Sequence, residues 1–454
     1  MALISTNPAT GEEVERYEEM TSSEVQDIIE RAHETHRAWR EVSFEERAER
    51  LRKAADILRE DTEYADIITR EMGKPISQAR AEVKKCATAF DYYAEHGAEH
   101  LAPEIIETDA SKSYLSYQPL GVVLAIMPWN FPFWQAVRFA APTLMAGNAG
   151  LLKHAENVTG CALAIEDLMK RAGFPEGLFR TLLVQVEEVE KILDNPKVAA
   201  ATLTGSTGAG KAVSSNAGKH LKKTVLELGG SDPYIVLEDA DLDATVEACA
   251  TSRLQNSGQS CIAAKRFIVV EPLISEFQSR LLEKMKAQKM GDPADEDTDI
   301  GPQARPDLRD TLHEQVTKSV DAGAELLLGG ELPDGPGAFY PPTLLTNVQA
   351  GMPAYDEEVF GPVASIITAH NEDDAIRIAN DTPYGLGAAV FTQDRAKGEK
   401  IAAEKLEAGN CFVNAFVKSD PRLPFGGIKE SGYGRELSKL GIHEFVNIKT
   451  VYIA

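Results

Sequence analysis

The sequence contains few cysteines, and their spacing excludes a disulfide framework and a zinc site built on paired cysteines. Its 454 residues include five cysteines, at positions 86, 161, 249, 261 and 411. Their number is odd, they are widely separated, and no C-x-x-C pair occurs. We therefore expect a reducing, cytoplasmic environment in which such side chains are mostly small buried hydrophobic groups.

The sequence also lacks long apolar runs. None reaches the ~18–20 residues that a membrane-spanning helix needs. The N-terminal stretch Met1-Ala-Leu-Ile-Ser-Thr-Asn-Pro has no basic segment followed by an apolar one, as a signal peptide would. We expect no membrane partner.

Positive charge is scarce, because 47 Lys and Arg face 71 Asp and Glu and leave a formal net charge of −24. Phosphate binding needs a basic face, so we expect no nucleic-acid partner. An acid excess fits a salt-rich cytoplasm, where ions screen self-repulsion, so we predict an acidic, halophilic surface. With 43% hydrophobic and 26% charged residues, the composition is that of a globular protein and excludes disorder.

A metal site is not expected. The stretch His96-Gly-Ala-Glu99-His100 matches H-x-x-E-H, in which two histidines share a helix face. No third ligand is apparent, and Gly97 weakens a helix. We therefore predict a solvated helix end there.

Apolar runs alternate with amphipathic stretches from residue 121 onward. We predict strands at 121–127, 151–153, 181–184 and 199–204, and helices at 132–145, 158–171, 188–193 and 208–221. Such alternation indicates parallel βαβ units, hence an α/β fold whose ligand lies at the carboxyl ends of the strands. The second half repeats this style, with helices predicted at 244–257, 273–289 and 306–322.

A glycine-rich turn opens the last of these predicted helices in the first half. Gly205-Ser206-Thr-Gly-Ala-Gly-Lys211 resembles a nucleotide triphosphate loop, but Ala212 replaces the required Ser or Thr. A turn that binds phosphate through backbone N–H groups at a helix N-terminus is favoured. An ordinary strand–helix turn is the alternative.

Three polar residues occupy places where chemistry is possible. Cys261 follows a polar turn in Asn256-Ser-Gly-Gln-Ser-Cys, Glu227 precedes two glycines, and Asn130 follows the first buried strand. They suggest a nucleophile, a general base and an oxyanion donor. The alternatives are a structural cysteine, a capping glutamate and a turn asparagine.

Several blocks of sequence are informative together: Pro128-Trp-Asn-Phe-Pro132, Leu203-Thr-Gly-Ser206, Leu226-Glu-Leu-Gly-Gly230, Gly258-Gln-Ser-Cys261, Glu357-Glu-Val-Phe-Gly-Pro362 and Pro424-Phe-Gly-Gly-Ile-Lys-Glu-Ser-Gly-Tyr-Gly-Arg-Glu436. They resemble the NAD(P)-dependent aldehyde dehydrogenase superfamily over essentially the whole chain. Three further stretches are Met127-Pro-Trp-Asn-Phe-Pro-Phe-Trp-Gln135, Leu152-Lys-His-Ala155 and Lys418-Ser-Asp-Pro-Arg-Leu-Pro-Phe-Gly-Gly427. Through them the sequence is most similar, within the superfamily, to the short bacterial succinate-semialdehyde dehydrogenases.

The resemblance implies an oxidation of an aldehyde to an acid through a cysteine thiohemiacetal and a thioester. Cys261 would be the nucleophile, Asn130 and the Cys261 backbone N–H would hold the oxyanion, and Glu227 would activate water. Glu436 matches a carboxylate that relays protons. A catalytically silent relative is the alternative from another class.

The resemblance also implies a dinucleotide site. Its residues would be Trp129, Lys153, Glu156, Gly205, Ser206, Leu228, Glu358 and Phe360. Glu156 matches a position at the adenosine ribose, where a carboxylate accepts from a 2′-hydroxyl and repels a 2′-phosphate. We therefore predict NAD as cofactor, with NADP possible.

The expected substrate is succinate semialdehyde. Arg138 and Ser419 match contacts to its carboxylate and Trp134 lines the same pocket, whereas a second arginine of some relatives is Gln255 here. The alternatives are glutarate semialdehyde, glycolaldehyde and lactaldehyde as substrates, and a place on the helix surface for Arg138.

The resemblance divides the chain into three parts. Residues 1–100 and 120–228 would form a variant Rossmann NAD-binding domain, and residues 229–430 an α/β catalytic domain. Residues 101–119 and 440–454 would form a small β-element that joins subunits, so we expect a homodimer or homotetramer.

Overall fold

The computed structural model of the chain describes residues 2–454. Its N-terminal part combines a two-stranded antiparallel sheet with four helices. These elements are β1 (Ala2–Thr6), β2 (Glu13–Glu18), α1 (Ser22–Trp39), α2 (Phe44–Glu60), α3 (Glu63–Met72) and α4 (Ile76–His100). Thr21 caps the N-terminus of helix α1 and forms a capping box with Glu24.

Residues 104–227 contain the predicted alternation of strands and helices. The elements are β3 (Glu104–Ile105), β4 (Lys112–Pro119), β5 (Val122–Met127), α5 (Pro132–Met145), β6 (Ala149–His154), α6 (Thr159–Arg171), β7 (Phe179–Thr181), α7 (Glu188–Asp194), β8 (Val198–Thr204), α8 (Thr207–Lys219) and β9 (Lys223–Glu227). The strand predicted at 181–184 was wrong in position, because the apolar run continues past β7 as a buried loop with Leu182 and Val184.

The second half forms its own sheet. Its elements are β10 (Asp232–Val236), α9 (Leu242–Leu254), β11 (Ala264–Val270), α10 (Ile274–Lys286), α11 (Pro306–Asp321), β12 (Glu325–Leu328), β13 (Thr343–Thr346), α12 (Pro353–Asp356), β14 (Val363–Ala369), α13 (Glu372–Asn380), β15 (Gly387–Phe391), α14 (Arg395–Glu404) and β16 (Asn410–Val413). The strand order is β12-β13-β14-β11-β10-β15-β16. Only the pairing of β12 with β13 is antiparallel among these described strands.

The C-terminal segment returns to the first half. It contains β17 (Gly432–Tyr433), α15 (Ser438–His443) and β18 (Val446–Ile453). Strand β17 pairs with β9 and completes a six-stranded sheet of order β17-β9-β8-β5-β6-β7. Strand β18 pairs along the length of β4, so the two segments of the predicted β-element, residues 101–119 and 440–454, meet in a three-stranded sheet with β3. The predicted domain boundaries stay a prediction.

The α/β fold is confirmed, and it brings several loops to one edge. Strands β5, β8 and β9 are parallel neighbours, and they end just before Pro128, Gly205 and Leu228. Ligands of open α/β sheets bind at such carboxyl ends. Within residues 2–454, no helix has the length and apolar character needed to cross a membrane.

Candidate active site

Cys261 lies after a turn whose backbone is unusual. Asn256, Ser257 and Gly258 follow one another with φ of 57°, 52° and 74°, the left-handed region that favours glycine. A Cβ on Gly258 would overlap the Gly361 carbonyl, so only glycine fits. Left-handed conformations of non-glycine residues persist only where the surroundings enforce them, and they cluster at functional sites.

Buried cations hold this turn through its carbonyl oxygens. Lys265 donates from Nζ to the carbonyls of Ser260 at 3.0 Å and Cys261 at 2.7 Å. Arg253 donates to the carbonyl of Gly258. These bonds fix the backbone that carries the Cys261 thiol.

The electrostatic surroundings of the Cys261 thiol oppose its ionisation. Burial raises the pKa of the thiol to about 12, and the charges of Lys265 and Arg138 offset only part of that rise. A thiolate is the nucleophilic form. Additional positive charge beside Cys261 would therefore favour catalysis.

Asn130 is held with one amide N–H still available. Its Nδ2 donates to the carbonyl of Gln259 at 3.0 Å, and its Oδ1 accepts from Nε2 of Gln135 at 3.1 Å. A side-chain amide has two N–H donors. The second N–H can therefore serve an oxyanion formed at Cys261, which lines the same cavity.

Two cavities meet at Cys261. One of about 210 Å³ lies along the ends of β5, β8 and β9, and the other of about 290 Å³ lies along α5. Cys261 and Gln135 line both of them. We call them the dinucleotide-side cavity and the aldehyde-side cavity.

Most of the predicted cofactor residues line the dinucleotide-side cavity. They are Trp129, Gly205, Ser206, Leu228, Glu358 and Phe360. Ser206 caps the N-terminus of α8, where free backbone N–H groups attract phosphate. A Cβ on Gly229 would overlap the Glu358 carboxylate, so the chain approaches closely there. These features fit a bound dinucleotide.

The other two predicted cofactor residues lie at the end of β6. Lys153 is buried and Glu156 half-buried, and neither is among the lining residues of the cavity. Burial lowers the pKa of Lys153, and the charges of Glu156 and Glu187 oppose this shift. In the glycine-rich turn, Lys211 forms an exposed ion pair with Glu430 at 3.0 Å instead of facing a phosphate site.

Glu227 and Glu436 belong to a buried cluster around Arg138. Burial and the neighbouring Glu436 carboxylate raise the pKa of Glu227, whose two oxygens accept no hydrogen bond within the described chain. Burial also raises the pKa of Glu436, which Arg138 lowers as its ion-pair partner. Glu227 itself lines neither cavity, although the following residues Leu228 and Gly229 line the dinucleotide-side one.

The three predicted substrate residues come together in the aldehyde-side cavity. Trp134, Arg138 and Ser419 all line it with Cys261. Lys85 of α4 lines it as well and donates from Nζ to Oγ of Ser419 at 2.7 Å.

Sequence reasoning gave no role to Gln135, Lys85 or Lys265. Gln135 belongs to the motif that carries Asn130, and this proximity was an available signal. Lys265 lies four residues after Cys261, and this spacing alone does not predict a site. Lys85 lies in a helix rich in charged residues, where a lysine is expected on the surface.

The motif from His96 to His100 ends helix α4, as predicted. His96 is partly exposed and Nε2 of His100 lies 3.0 Å from the Tyr92 hydroxyl. Within residues 2–454, no group of three or more His, Cys, Asp or Glu side chains is arranged to hold a metal ion.

Comparison with known proteins agrees with this geometry. A probable succinate-semialdehyde dehydrogenase [NADP(+)] of Synechocystis sp. is 52% identical over all of both chains. The succinate-semialdehyde dehydrogenase [NADP(+)] of Mycobacterium leprae is also 52% identical over all of both chains. The crystal structure of succinic semialdehyde dehydrogenase from Streptococcus pyogenes in complex with NADP+ is 40% identical, with a TM-score of 0.97 and full coverage of both chains. The aldehyde dehydrogenase family model matches residues 2–451, and the chain belongs to that family as an aldehyde dehydrogenase.

Proposed function

We propose that this aldehyde dehydrogenase oxidises succinate semialdehyde to succinate with a nicotinamide dinucleotide. The observation that carries the proposal is the Cys261 thiol between two cavities, one of which also contains Arg138 and Ser419. An enzyme for a short aldehyde with a distal carboxylate needs such polar groups facing its nucleophile. The names of the relatives in Synechocystis and Mycobacterium point to the same substrate.

In the proposed mechanism, the Cys261 thiolate attacks the aldehyde carbon and forms a tetrahedral adduct. The remaining N–H of Asn130 and the backbone N–H of Cys261 stabilise its oxyanion. The dinucleotide, when bound, supplies the hydride acceptor and a positive charge that favours the thiolate. Covalent capture is needed because an aldehyde gives up hydride readily only as such an adduct.

Hydrolysis of the acyl group on Cys261 requires a base. Glu227 takes a proton from water, and burial suits it to this task because it raises the pKa of the carboxyl and so makes the carboxylate a stronger base. Glu436 receives the proton next, since it is buried near enough to raise the pKa of Glu227 and burial raises its own pKa as well.

The first test is an aldehyde panel that follows NADH or NADPH formation. We expect the highest kcat/KM for succinate semialdehyde, above glutarate semialdehyde, glycolaldehyde and lactaldehyde. Cys261→Ala should abolish turnover with every aldehyde. Cys411→Ala, which removes another partly exposed thiol, is the matched control and should retain it. A higher kcat/KM for an aldehyde without a carboxylate would refute the proposal that succinate semialdehyde is the substrate.

For the cofactor, we propose a preference for NAD. The argument is Glu156, a half-buried carboxylate beside Lys153. It accepts hydrogen bonds from a ribose 2′-hydroxyl and repels a 2′-phosphate. The relatives are named for NADP(+), so this proposal gives the chain a different cofactor preference from the one in their names.

The cofactor test compares kcat/KM for NAD and NADP in the wild type and in Glu156→Ser. We expect the NAD/NADP ratio to exceed one in the wild type and to fall about tenfold or more in the variant, a change of about 1.4 kcal/mol. A wild-type preference for NADP would contradict the proposed role of Glu156 and the preference for NAD.

We also propose that the sheet of β3, β4 and β18 joins subunits of a homodimer or homotetramer. Ile105, Ile448 and Ile453 are exposed on these strands, an unusual place for large apolar side chains. Light scattering after size exclusion measures the assembly. A monomer at micromolar concentration would contradict it.

A further inference from the structure

Lys85 is one of three positively charged residues that line the aldehyde-side cavity, together with Arg138 and the exposed Lys418. It lies on α4, and its ammonium is 2.7 Å from Oγ of Ser419 and 4.2 Å from the centre of the Trp134 ring. Lys85 is half-buried as a whole residue, and it lines the cavity. Two contacts from different elements thus fix the position of the ammonium.

The charges around this cavity leave Lys85 without a counterion. Arg138 is ion-paired with Glu436, and the Asp420 carboxylate accepts two bonds from the Arg422 guanidinium, at 2.9 and 2.7 Å. In the described chain, no carboxylate lies within 4.0 Å of the Lys85 ammonium. A half-buried ammonium without a counterion favours binding of an anion.

We propose that Lys85 binds the distal carboxylate of the substrate. The Ser419 hydroxyl, which already accepts from Lys85, donates its own proton to the same carboxylate. The bound carboxylate restores the charge balance that the cavity lacks. This inference rests on the proposed function, because it identifies the group that recognises the acid end of a semialdehyde.

The test compares Lys85→Met with Lys84→Met. Methionine keeps the length and packing of the side chain over Trp134 and removes the charge. Lys84 lies next to Lys85 on α4 but is exposed, so its substitution changes the net charge equally. The measured quantity is kcat/KM for succinate semialdehyde divided by kcat/KM for butanal, which has the same carbon chain without the carboxylate.

We expect Lys85→Met to lower this ratio at least about tenfold, mainly through KM for the semialdehyde. Lys84→Met should leave this ratio unchanged, and Lys85→Arg should keep most of the wild-type ratio. An unchanged ratio in Lys85→Met would overturn the inference, including the case in which kcat/KM falls equally for both aldehydes. If Lys85→Met does not fold, Lys85→Gln is measured in the same way.

A second pair of aldehydes separates this inference from the proposed substrate. If the wild type does not oxidise succinate semialdehyde, the ratio is measured with 4-carboxybenzaldehyde and benzaldehyde. A preference for the carboxylated ring that is lost in Lys85→Met supports Lys85 while the substrate proposal fails. If the wild type prefers the carboxylated aldehyde in neither pair, both the role of Lys85 and the proposed substrate are overturned.

Discussion

Lys85 owes its protonation behaviour to the groups packed around it. Burial, and after it the nearby Arg138 guanidinium, lower the pKa of its ammonium to about 8. Cys86 and Glu82 on its own helix and Asp420 in the facing loop act in the opposite direction. At neutral pH the side chain therefore carries its charge, with little margin before it is lost.

The pH dependence of substrate selection follows from this lowered pKa of Lys85. Below pH 8 Lys85 is an ammonium and attracts the semialdehyde carboxylate; above pH 8 it becomes a neutral amine. We expect the semialdehyde/butanal ratio of kcat/KM to decline as pH rises through about 8. Using the ratio cancels the ionisation of Cys261, which affects both aldehydes.

Lys85→Arg is the control for this profile. A guanidinium stays charged throughout that pH range, so the ratio should become flat. The same alkaline decline in Lys85→Arg would assign the titration to another group.

At the scale of elements, helix α5 depends on α4 for its start. Phe131 provides no side-chain cap, and the backbone N–H groups of Phe133 and Trp134 donate to Oε1 of Glu82, both at 2.9 Å. Glu82 is buried and ion-paired with buried Lys74, whose ammonium lies 3.9 Å from the Phe131 ring. This inter-helix cap positions the turn that bears Asn130 and the helix that bears Arg138.

Removal of Glu82 should therefore be costly. Glu82→Ala leaves Lys74 buried without a partner, and we expect a loss of about 3–5 kcal/mol in the free energy of unfolding. Adding Lys74→Met to Glu82→Ala should recover part of that loss, because the unpaired charge disappears. Urea unfolding with all three proteins measures this, and a double variant less stable than Glu82→Ala would contradict the buried pair.

At the scale of the whole molecule, a net charge of −24 opposes both proposed ligands. A dinucleotide and a semialdehyde carboxylate are anions, so long-range repulsion slows their approach. Local groups such as Lys85, Lys153 and the N-terminus of α8 must provide the attraction. Salt weakens interactions between exposed charges more than those with buried ones.

Moderate salt should therefore improve catalysis with charged substrate. Between ionic strengths of about 10 and 150 mM, we expect KM for succinate semialdehyde to fall, because the Debye length shortens from ~30 to ~8 Å. KM for butanal, measured at saturating cofactor, should stay constant and serves as the control. A rise in KM for the semialdehyde would show that local attraction outweighs the surface field.

Local patterns were sufficient for part of this molecule. Helix α5 has the predicted bounds, because its apolar pattern and Pro132 are local signals. Strand β11 was not predicted, because it contains two cations, Lys265 and Arg266. Both are buried, and carbonyl oxygens accept their hydrogen bonds, near in sequence for Lys265 and distant for Arg266. Lys85 was missed for the same reason: only the packing of α4 against Trp134 and Ser419 separates it from exposed Lys84.

The arrangement of two cavities that share Cys261 has a kinetic consequence. A ligand in the aldehyde-side cavity leaves the dinucleotide-side cavity open, and the reverse also holds. Succinate, as product, should then be a competitive inhibitor toward the aldehyde but not toward the dinucleotide. Neither reactant has to leave before the other enters, so steady-state patterns should be sequential. The two reactants then meet at the wall that the cavities share, which Cys261 and Gln135 form.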